Sequence, residues 1–206
     1  MHHGPKEKKE RALGERLGLK GERCASPKCA AVRKPYRPGV HGPKKQRRAL
    51  SEFGKQIQEK QKFKLTYGVD EGWLWRAFEE ARKTRGSTSA KLMEFLERRL
   101  DNVIFRIGFA NSRSRARQMI VHGHILVNEK RVWSPGILVK IGDTIAFRPA
   151  SRGNALIKDL QATLAKFDPP AWLVLNVEEL KGEVIALPVD ATPAFEINLL
   201  VESFSK

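Results

Sequence analysis

The sequence predicts an α+β protein: a mainly helical lobe, an inserted small domain of two helices on a twisted antiparallel sheet, and an extended basic N-terminal arm. Three observations predict this class. Apolar residues recur at helical spacing between residues 70 and 107, the spacing changes to that of strands after Gly123, and residues 1–48 are rich in Gly and Pro and follow no period. With 206 residues, of which 41% are hydrophobic, the chain is long enough to bury a core.

The predicted arm comprises residues 1–48. It contains too few apolar side chains to offset the entropy lost on ordering, so we expect it to become ordered on its partner. A merely solvated tail is the alternative, but Tyr36 and the Pro-Gly turns among the charges favour shaped contacts. The side chains expected to meet phosphates are Arg33, Lys34, Arg37, Lys44, Lys45, Arg47 and Arg48.

The helical lobe is predicted over residues 49–97, with the C-terminal residues near 190–206 completing it. Asp70 is a residue type that caps helix N-termini, and Gly86 is one that ends helices. The apolar stripe between them indicates a side that faces the core rather than a cofactor pocket. This stripe consists of Trp73, Leu74, Ala77, Phe78 and Ala81.

The small domain is predicted over residues 98–153. Its helices are expected at Ser89–Ile107 and Ser112–Gly123, and the strands that follow at His124–Val127, Lys130–Trp133, Val139–Ile141 and Thr144–Phe147, with a hairpin turn at Asn128-Glu129. In the last segment, residues 154–206, we expect a helix near Ala155–Phe167 and short strands at Trp172–Val177, Val184–Leu187 and Glu196–Val201.

The net charge of +16 is unevenly distributed among these segments. Residues 1–48 have a net charge of +11 and residues 98–153 of +8, whereas residues 49–97 have +1 and residues 154–206 have −4. Two localised basic segments indicate a polyanionic partner, and the acidic last segment suits a protein contact. No apolar run approaches the roughly 20 residues that span a bilayer, so we expect a soluble intracellular protein without a membrane partner.

The densest group of candidate binding residues begins at Ser112. Backbone N–H groups at a helix start favour a phosphate, and arginines offer it paired donors. Three arginines in a first turn oppose the helix dipole, which favours a surface that faces an anion over a solvated helix face. The contacts predicted here and on the adjoining turn and strands are Arg113, Arg115, Arg117, Gln118, His122, His124, Lys130 and Arg131, which Arg148 and Arg152 would extend.

We expect neither a cofactor nor a metal. Cys24 and Cys29 supply two of the four donors that a structural zinc site needs, and the pair of His122 and His124 lacks a third ligand. No catalytic set stands out. Arg99-Leu100-Asp101 has the pattern of the pseudouridine synthase motif, so an RNA-modifying enzyme is an alternative. However, this motif lies within a predicted amphipathic helix, and no separate catalytic domain remains to surround it.

The whole chain resembles the bacterial-type family of small-subunit ribosomal protein four. The family's RNA-binding module is matched by Leu96–Val103, Arg106–Ala110, Ser112-Arg113, Ala116–Gln118 and His122–Asn128. That module also occurs in tRNA synthetases, pseudouridine synthases and a heat-shock protein, so the flanks decide the assignment. The flanking segments that resemble the family are Lys20–Cys24, Pro35–Gly42, Glu59–Lys62 and Val201–Lys206.

The resemblance implies a primary rRNA-binding protein that joins the small subunit early in assembly, in the cytoplasm or the equivalent organelle compartment. It adds Arg98 and Arg99 to the RNA-binding set. It also implies contacts with ribosomal proteins five and three, a position near the channel through which mRNA enters, and an influence on decoding accuracy. A free stress-type RNA-binding factor with the same module is a further alternative, which the two flanking lobes oppose.

This chain departs from the family pattern at three places. Some relatives bind zinc through four N-terminal cysteines, but here the charged stretch Lys6–Arg11 replaces the upstream pair, so the metal is not expected. Glu129 stands where the family often has Gly, and Gly136–Leu138 replaces a polar, aromatic stretch. Because of the last two changes, the family's local RNA contacts at this hairpin are not carried over to this chain, whereas the assignment to the family is unaffected.

Overall fold

The computed structural model describes residues 4–44, 49–151, 153, 157, 160–188 and 195–205. These residues fall into two compact units, one drawn from Met1–Met93 and Thr192–Lys206 and the other from Glu94–Ala191. Helices and one antiparallel sheet make up the regular structure, so the predicted α+β class is confirmed.

The start of the first unit is less extended than the sequence predicts. It contains three short helices, α1 (Lys6–Leu13), α2 (Glu22–Ala25) and α3 (Ala30–Arg33). Two buried carboxylates, those of Glu7 and Glu10, stabilise this segment through hydrogen bonds. The carboxylate of Glu7 accepts hydrogen bonds from Arg23 Nε at 2.6 Å and from the Ala30 N–H at 3.2 Å. Charged side chains therefore stabilise local structure in this segment, which the small number of apolar residues did not predict.

The helical lobe is built from α4 (Glu52–Tyr67), α5 (Glu71–Lys83) and the C-terminal helix, named α10 here (Ile197–Ser205). The α10 helix packs on α4 and α5. The strand expected at Glu196–Val201 is wrong, because Leu200 and Phe204 are four residues apart and bury the same face of a helix. The predicted cap is confirmed, since Asp70 Oδ1 accepts the Trp73 N–H at 2.7 Å.

The long helix expected at Ser89–Ile107 is two helices, α6 (Thr88–Glu97) and α7 (Leu100–Arg106). Arg99 interrupts them with an extended backbone, φ −62° and ψ 135°. Hydrogen bonds with a distant segment compensate for the break. The Leu100 N–H donates to the Ile137 carbonyl at 2.8 Å, and the Val139 N–H donates to the Arg98 carbonyl at 2.9 Å. Residues 98–100 and 137–139 thus form a two-stranded contact inside the second unit.

The second unit continues with α8 (Arg113–Val121) and a five-stranded antiparallel sheet. The strands are β1 (Ile125–Val127), β2 (Lys130–Arg131), β3 (Thr144–Phe147), β4 (Leu173–Asn176) and β5 (Lys181–Val184), in the spatial order β2-β1-β3-β5-β4. Its register pairs Ile125 with Phe147, and Thr144 with Glu183. The last two strands come from the segment after residue 153, so the sheet is larger than residues 98–153 alone predict.

Two strand predictions in this unit are wrong in detail. Within the described part of the chain, residues 139–141 form no strand, and an isolated bridge between Arg99 and Leu138 lies beside them. In place of the strand expected at Val184–Leu187, the chain forms β5 at Lys181–Val184. Gly182 on this strand leaves room for Ile107 at the end of α7. A Cβ atom at Gly182 would lie 2.6 Å from Ile107 Cδ1. Of the helix expected near Ala155–Phe167, the structure describes α9 (Leu160–Leu164).

The core of the second unit lies between α7, α8 and the sheet. Its fully buried side chains include Ile104, Ile107, Ile120, Ile125, Ile145 and Phe147. Phe109 also packs there, with its ring centroid 4.7 Å from that of Phe147. In this apolar layer, Ala116 and Ile120 of α8 pack with the buried residues of α7 and of the sheet.

Replacing Asp70 with Ala is expected to lower the free energy of unfolding by about 1 kcal/mol, because the Trp73 N–H at the start of α5 loses its acceptor. Urea unfolding followed by circular dichroism measures this change. Asp70→Ser is the matched control and keeps most of the stability, since a serine hydroxyl also accepts from a helix N-terminus. Equal stability of the Ala variant and the wild type would contradict the assigned cap.

Acid is expected to open the N-terminal segment. The hydrogen bond from Arg23 holds the pKa of Glu7 below its ordinary value of 4.5, despite burial. Because the folded-state pKa is lowered, the stabilisation is complete above the unfolded pKa and is lost as pH falls through the folded value. The rate at which a dithiodipyridine reagent modifies the buried Cys24 and Cys29 measures this opening.

The modification rate in the wild type should rise steeply below about pH 4.5, the ordinary value for Glu7. Glu7→Gln should react faster at neutral pH and depend less on pH, because it has no carboxylate to protonate. Parallel pH profiles in the two proteins would refute the role of Glu7.

Candidate nucleic-acid interface

The N-terminus of α8 concentrates positive charge on a capped helix. Ser112 is the cap, and its hydroxyl accepts the Arg115 N–H at 3.4 Å. Arg113, Arg115 and Arg117 follow without an acidic residue in the first turn, and all three are half-buried. Cations at this end oppose the helix dipole, so the arrangement favours binding of an anion.

The side chain of Arg113 is held in place by residues of α7. Its Nε donates to Asn102 Oδ1 at 2.7 Å, and its guanidinium lies over the ring of Phe105, 4.5 Å from the centroid. Asn102 is buried, and its side-chain amide donates to the carbonyl and the carboxylate of Glu97 at 2.9 and 2.8 Å. The orientation of Arg113 is therefore fixed before any ligand binds.

Glu97 anchors this network. Its side chain is 1% exposed and receives two hydrogen bonds from Arg106, from Nε and from Nη2, each at 2.9 Å. A buried carboxylate needs such partners because its charge has lost its water. The sequence interpretation did not assign a role to Glu97, Asn102 or Phe105. The available signal was the presence of the polar residues Glu97 and Asn102 beside the apolar stripe of this segment.

Arg117 lies beside a second buried carboxylate. Its Nη1 is 3.8 Å from Asp101 Oδ2, and Asp101 also forms a paired contact with Arg99, through Nε at 3.1 Å and Nη2 at 2.9 Å. Arg99 is only 2% exposed, and its guanidinium neutralises Asp101 inside the unit, so it is a weaker candidate for RNA binding than the arginines of α8. This buried ion pair also removes the basis for assigning Asp101 as a catalytic aspartate.

Arg98 likewise serves the fold. Its Nη1 donates to Glu94 Oε1 at 2.7 Å and its Nε to the Val139 carbonyl at 2.9 Å. With 17% of its side chain exposed, it stabilises the contact between residues 98–100 and 137–139. It is therefore a weaker candidate for phosphate binding than the arginines of α8.

The C-terminal end of α8 brings further predicted residues together. Gln118, His122 and Lys130 are exposed, and the ring of His122 lies 6.1 Å from that of His124. His124 is half-buried, with Nδ1 at 2.9 Å from Ser151 Oγ. Arg131 donates from Nε to the Gly123 carbonyl at 3.1 Å. A basic surface thus continues from α8 to β2.

The hairpin between β1 and β2 has the predicted tight turn. Asn128 and Glu129 both adopt left-handed backbone, with φ of 49° and 65°. Two hydrogen bonds hold the side chain of Asn128. Asn128 Nδ2 donates to Asp143 Oδ1 at 2.8 Å, and Asn128 Oδ1 accepts from the Thr144 N–H at 2.9 Å. These bonds support a turn in which Glu129, with its positive φ, is conformationally strained.

The predicted arm residues belong to the first unit. Arg33, Lys34, Arg37 and Lys44 are exposed, and Arg33 is the last residue of α3. Arg11 fixes the chain around Lys34, because its Nε donates to the Lys34 carbonyl at 2.8 Å and its guanidinium lies 5.0 Å from the Tyr36 ring centroid. Lys45, Arg47 and Arg48 lie outside the described residues, as does Arg152.

Cys24 and Cys29 come together with Glu10, and the ligand atoms of these three buried residues lie within 4.8 Å of one another. Glu10 Oε1 already accepts from the N–H groups of Leu17 and Leu19, while Oε2 has no hydrogen-bond partner among the described residues. Burial raises the pKa of the Cys24 thiol, which disfavours the thiolate that zinc binds. Three donors within the described ranges are one short of a closed structural zinc site.

The fold and the basic surface of α8 define a class: a nucleic-acid-binding protein built on a helix–sheet module. Residues 98–145 match the S4 domain, and residues 1–97 match the ribosomal protein S4/S9 N-terminal domain. Within the described ranges, no helix is long and apolar enough to cross a membrane.

Curated relatives match the chain nearly end to end. It is 46% identical over 198 residues to the small ribosomal subunit protein uS4 of Acetivibrio thermocellus, and the aligned region covers 95% of this chain and 94% of the relative. Identity is 44% over 207 residues to uS4 of Roseiflexus castenholzii, covering 98% of each chain, and 48% over 198 residues to uS4A of Alkaliphilus oremlandii, covering 95% and 94%.

The chain belongs to the ribosomal protein S4 family: it is a structural ribosomal protein with an RNA-binding S4 domain, and not an enzyme. The resemblance seen in the sequence is confirmed, and the alternative of an RNA-modifying enzyme is excluded.

Replacing Asn102 with Ala is expected to lower the free energy of unfolding by about 1–3 kcal/mol, because Arg113 Nε and a buried carboxylate oxygen of Glu97 both lose a partner. Urea unfolding measures the change. Gln118→Ala, an exposed substitution on α8, serves as the control and should stay within about 0.5 kcal/mol of the wild type. Similar stabilities of the two variants would show that the network below α8 contributes little.

Proposed function

We propose that this protein is a primary binder of small-subunit rRNA that joins the subunit early in its assembly. The observation that supports this most directly is the pair Arg113 and Arg117 at the capped start of α8, each held next to a buried polar group. Guanidiniums that are fixed in advance lose little side-chain entropy on binding a phosphate. Such a surface suits a folded RNA, in which phosphates occupy defined positions.

The proposed ligand is a junction or another shaped RNA element rather than a plain helix. A-form RNA has a major groove too deep and narrow for side chains to read, so proteins recognise its phosphates, its 2′-hydroxyls and its shape. The α8 surface is rigid and basic. The exposed cations of the first unit, Arg33, Lys34, Arg37 and Lys44, offer a second set of phosphate ligands, which Lys45, Arg47 and Arg48 would extend.

The protein partners belong to the same proposal. Exposed Glu178, Glu179 and Glu183 lie on or beside β5 in the last, acidic segment, where a basic or neutral protein surface could dock. The resemblance implies ribosomal proteins five and three as those partners, a place near the channel through which mRNA enters, and an effect on decoding accuracy. We place the protein on cytoplasmic ribosomes, or on those of an equivalent organelle compartment.

We retain the four segments as functional divisions. Residues 1–48 and 98–153 are proposed as the two RNA-binding parts, residues 49–97 with the C-terminal residues near 190–206 as scaffold, and residues 154–206 as the part that includes the protein contact. The net charges of these segments support that division.

The double variant Arg113→Ala/Arg117→Ala should bind a small-subunit rRNA junction fragment more than tenfold more weakly near physiological salt. The slope of log affinity against log salt should also shrink by about 1.4–1.8, since each lost phosphate contact removes about 0.7–0.9. Filter binding across a salt series, with the full chain, measures both quantities.

The matched control is Arg82→Ala/Lys83→Ala, which removes the same charge from exposed side chains of α5. It should change the affinity and the slope much less. If both double variants lose affinity equally, the effect is one of net charge and the α8 site is not supported. If the wild type shows no salt-dependent binding, the proposed function fails.

A further inference from the structure

Trp133 lies just after β2 with 55% of its surface exposed. An isolated exposed apolar residue is ordinary on a protein surface. This indole differs because a guanidinium covers one of its faces: the central carbon of Arg131 lies 4.9 Å from the ring centroid. The pair therefore presents a flat aromatic surface that is supported from one side.

Arg131 is itself fixed by the end of α8. Its Nε donates to the Gly123 carbonyl at 3.1 Å, and its Nη2 donates to the His122 carbonyl at 3.4 Å. Carbonyls at a helix C-terminus favour a cation, because the dipole is negative there. Arg131 thus has its donors engaged with the backbone while its planar face lies against the indole.

Gly123 makes room for this arrangement. It has left-handed backbone, φ 69°, and a Cβ atom there would collide with Arg131 Nε. Any other residue would displace the guanidinium from the carbonyls and from the ring. The glycine at the end of α8 therefore serves both the helix terminus and the support of Trp133.

We propose that the exposed face of Trp133 is a stacking site for an unpaired RNA base. This inference rests on the proposed binding of rRNA and names one contact within it. Aromatic side chains stack on bases that are splayed out of loops, bulges and junctions, and every base offers a suitable face. A base within a paired helix cannot reach such a platform.

The surrounding charge favours RNA over a protein partner as the occupant. Cationic Lys130 and Arg131 precede Trp133 on the hairpin, and His122 lies beside Arg131 at the helix end. A stacked base brings its flanking phosphates within reach of these groups. Glu129 is the nearest carboxylate along the chain, at the tip of the turn. The basic surface of α8 and the indole thus form one continuous site.

The test separates stacking from phosphate binding in the full chain with a junction RNA. Trp133→Ala should weaken binding by about 5- to 150-fold, the range that corresponds to loss of one aromatic stacking partner, with an unchanged salt slope. Trp133→Phe should retain most of the affinity. Lys130→Ala should instead reduce the slope by about 0.7–0.9. Val174→Ala, an equally exposed apolar residue on β4 at the opposite sheet edge, should change neither.

A base analogue gives the direct readout. 2-Aminopurine placed in turn at each unpaired position should be quenched at one position on binding of the wild type and of Trp133→Phe, but not of Trp133→Ala. Unchanged affinity and quenching with Trp133→Ala would overturn the stacking site while the proposed function stands. The same holds if that variant binds RNA normally but loses a protein of the small subunit. Absence of salt-dependent binding by the wild type would instead refute the proposed function.

Discussion

The second unit depends on two buried carboxylates, Glu97 and Asp101, placed on either side of the break between α6 and α7. Glu97 pairs with Arg106, and Asp101 neutralises two arginines that would otherwise repel one another, Arg99 and Arg117. Removing one partner of a buried pair leaves an uncompensated charge, so these groups depend on one another. The same interactions that stabilise the fold also aim the basic side chains of α8, which couples the stability of the unit to its ability to bind RNA.

Local signals in the sequence predicted the parts of the fold that short-range chemistry determines. The helix caps at Asp70 and Ser112 are examples, because each cap binds an N–H group three positions later. The hairpin turn at Asn128-Glu129 was likewise predicted from the residues of the turn itself. The break at Arg99 could not be predicted in this way, since its compensating hydrogen bonds come from residues about 40 positions later. The same distinction applies to the binding site. The local sequence predicts the arginines of α8, whereas Asn102 and Glu97 acquire their role only through contacts between helices.

In the N-terminal segment, buried carboxylates connect parts of the chain that are separated in sequence. Glu7 and Glu10 each accept hydrogen bonds from backbone N–H groups in distant turns, and both side chains are buried. This explains why a segment with a net charge of +11 over residues 1–48 contains helices rather than a fully extended chain.

The two ends of α8 are held by different parts of the chain, Ser112 at the start and Arg131 of the hairpin at the end. A nine-residue helix with three arginines is too short to persist in water by itself. The helix therefore depends on its packing in the core of the second unit and on these contacts at its two ends. During synthesis, the basic surface emerges from the ribosome before the residues that complete it. A nascent chain that ends before the hairpin contains the arginines of α8 but lacks Arg131, the side chain that binds the carbonyls at the end of the helix.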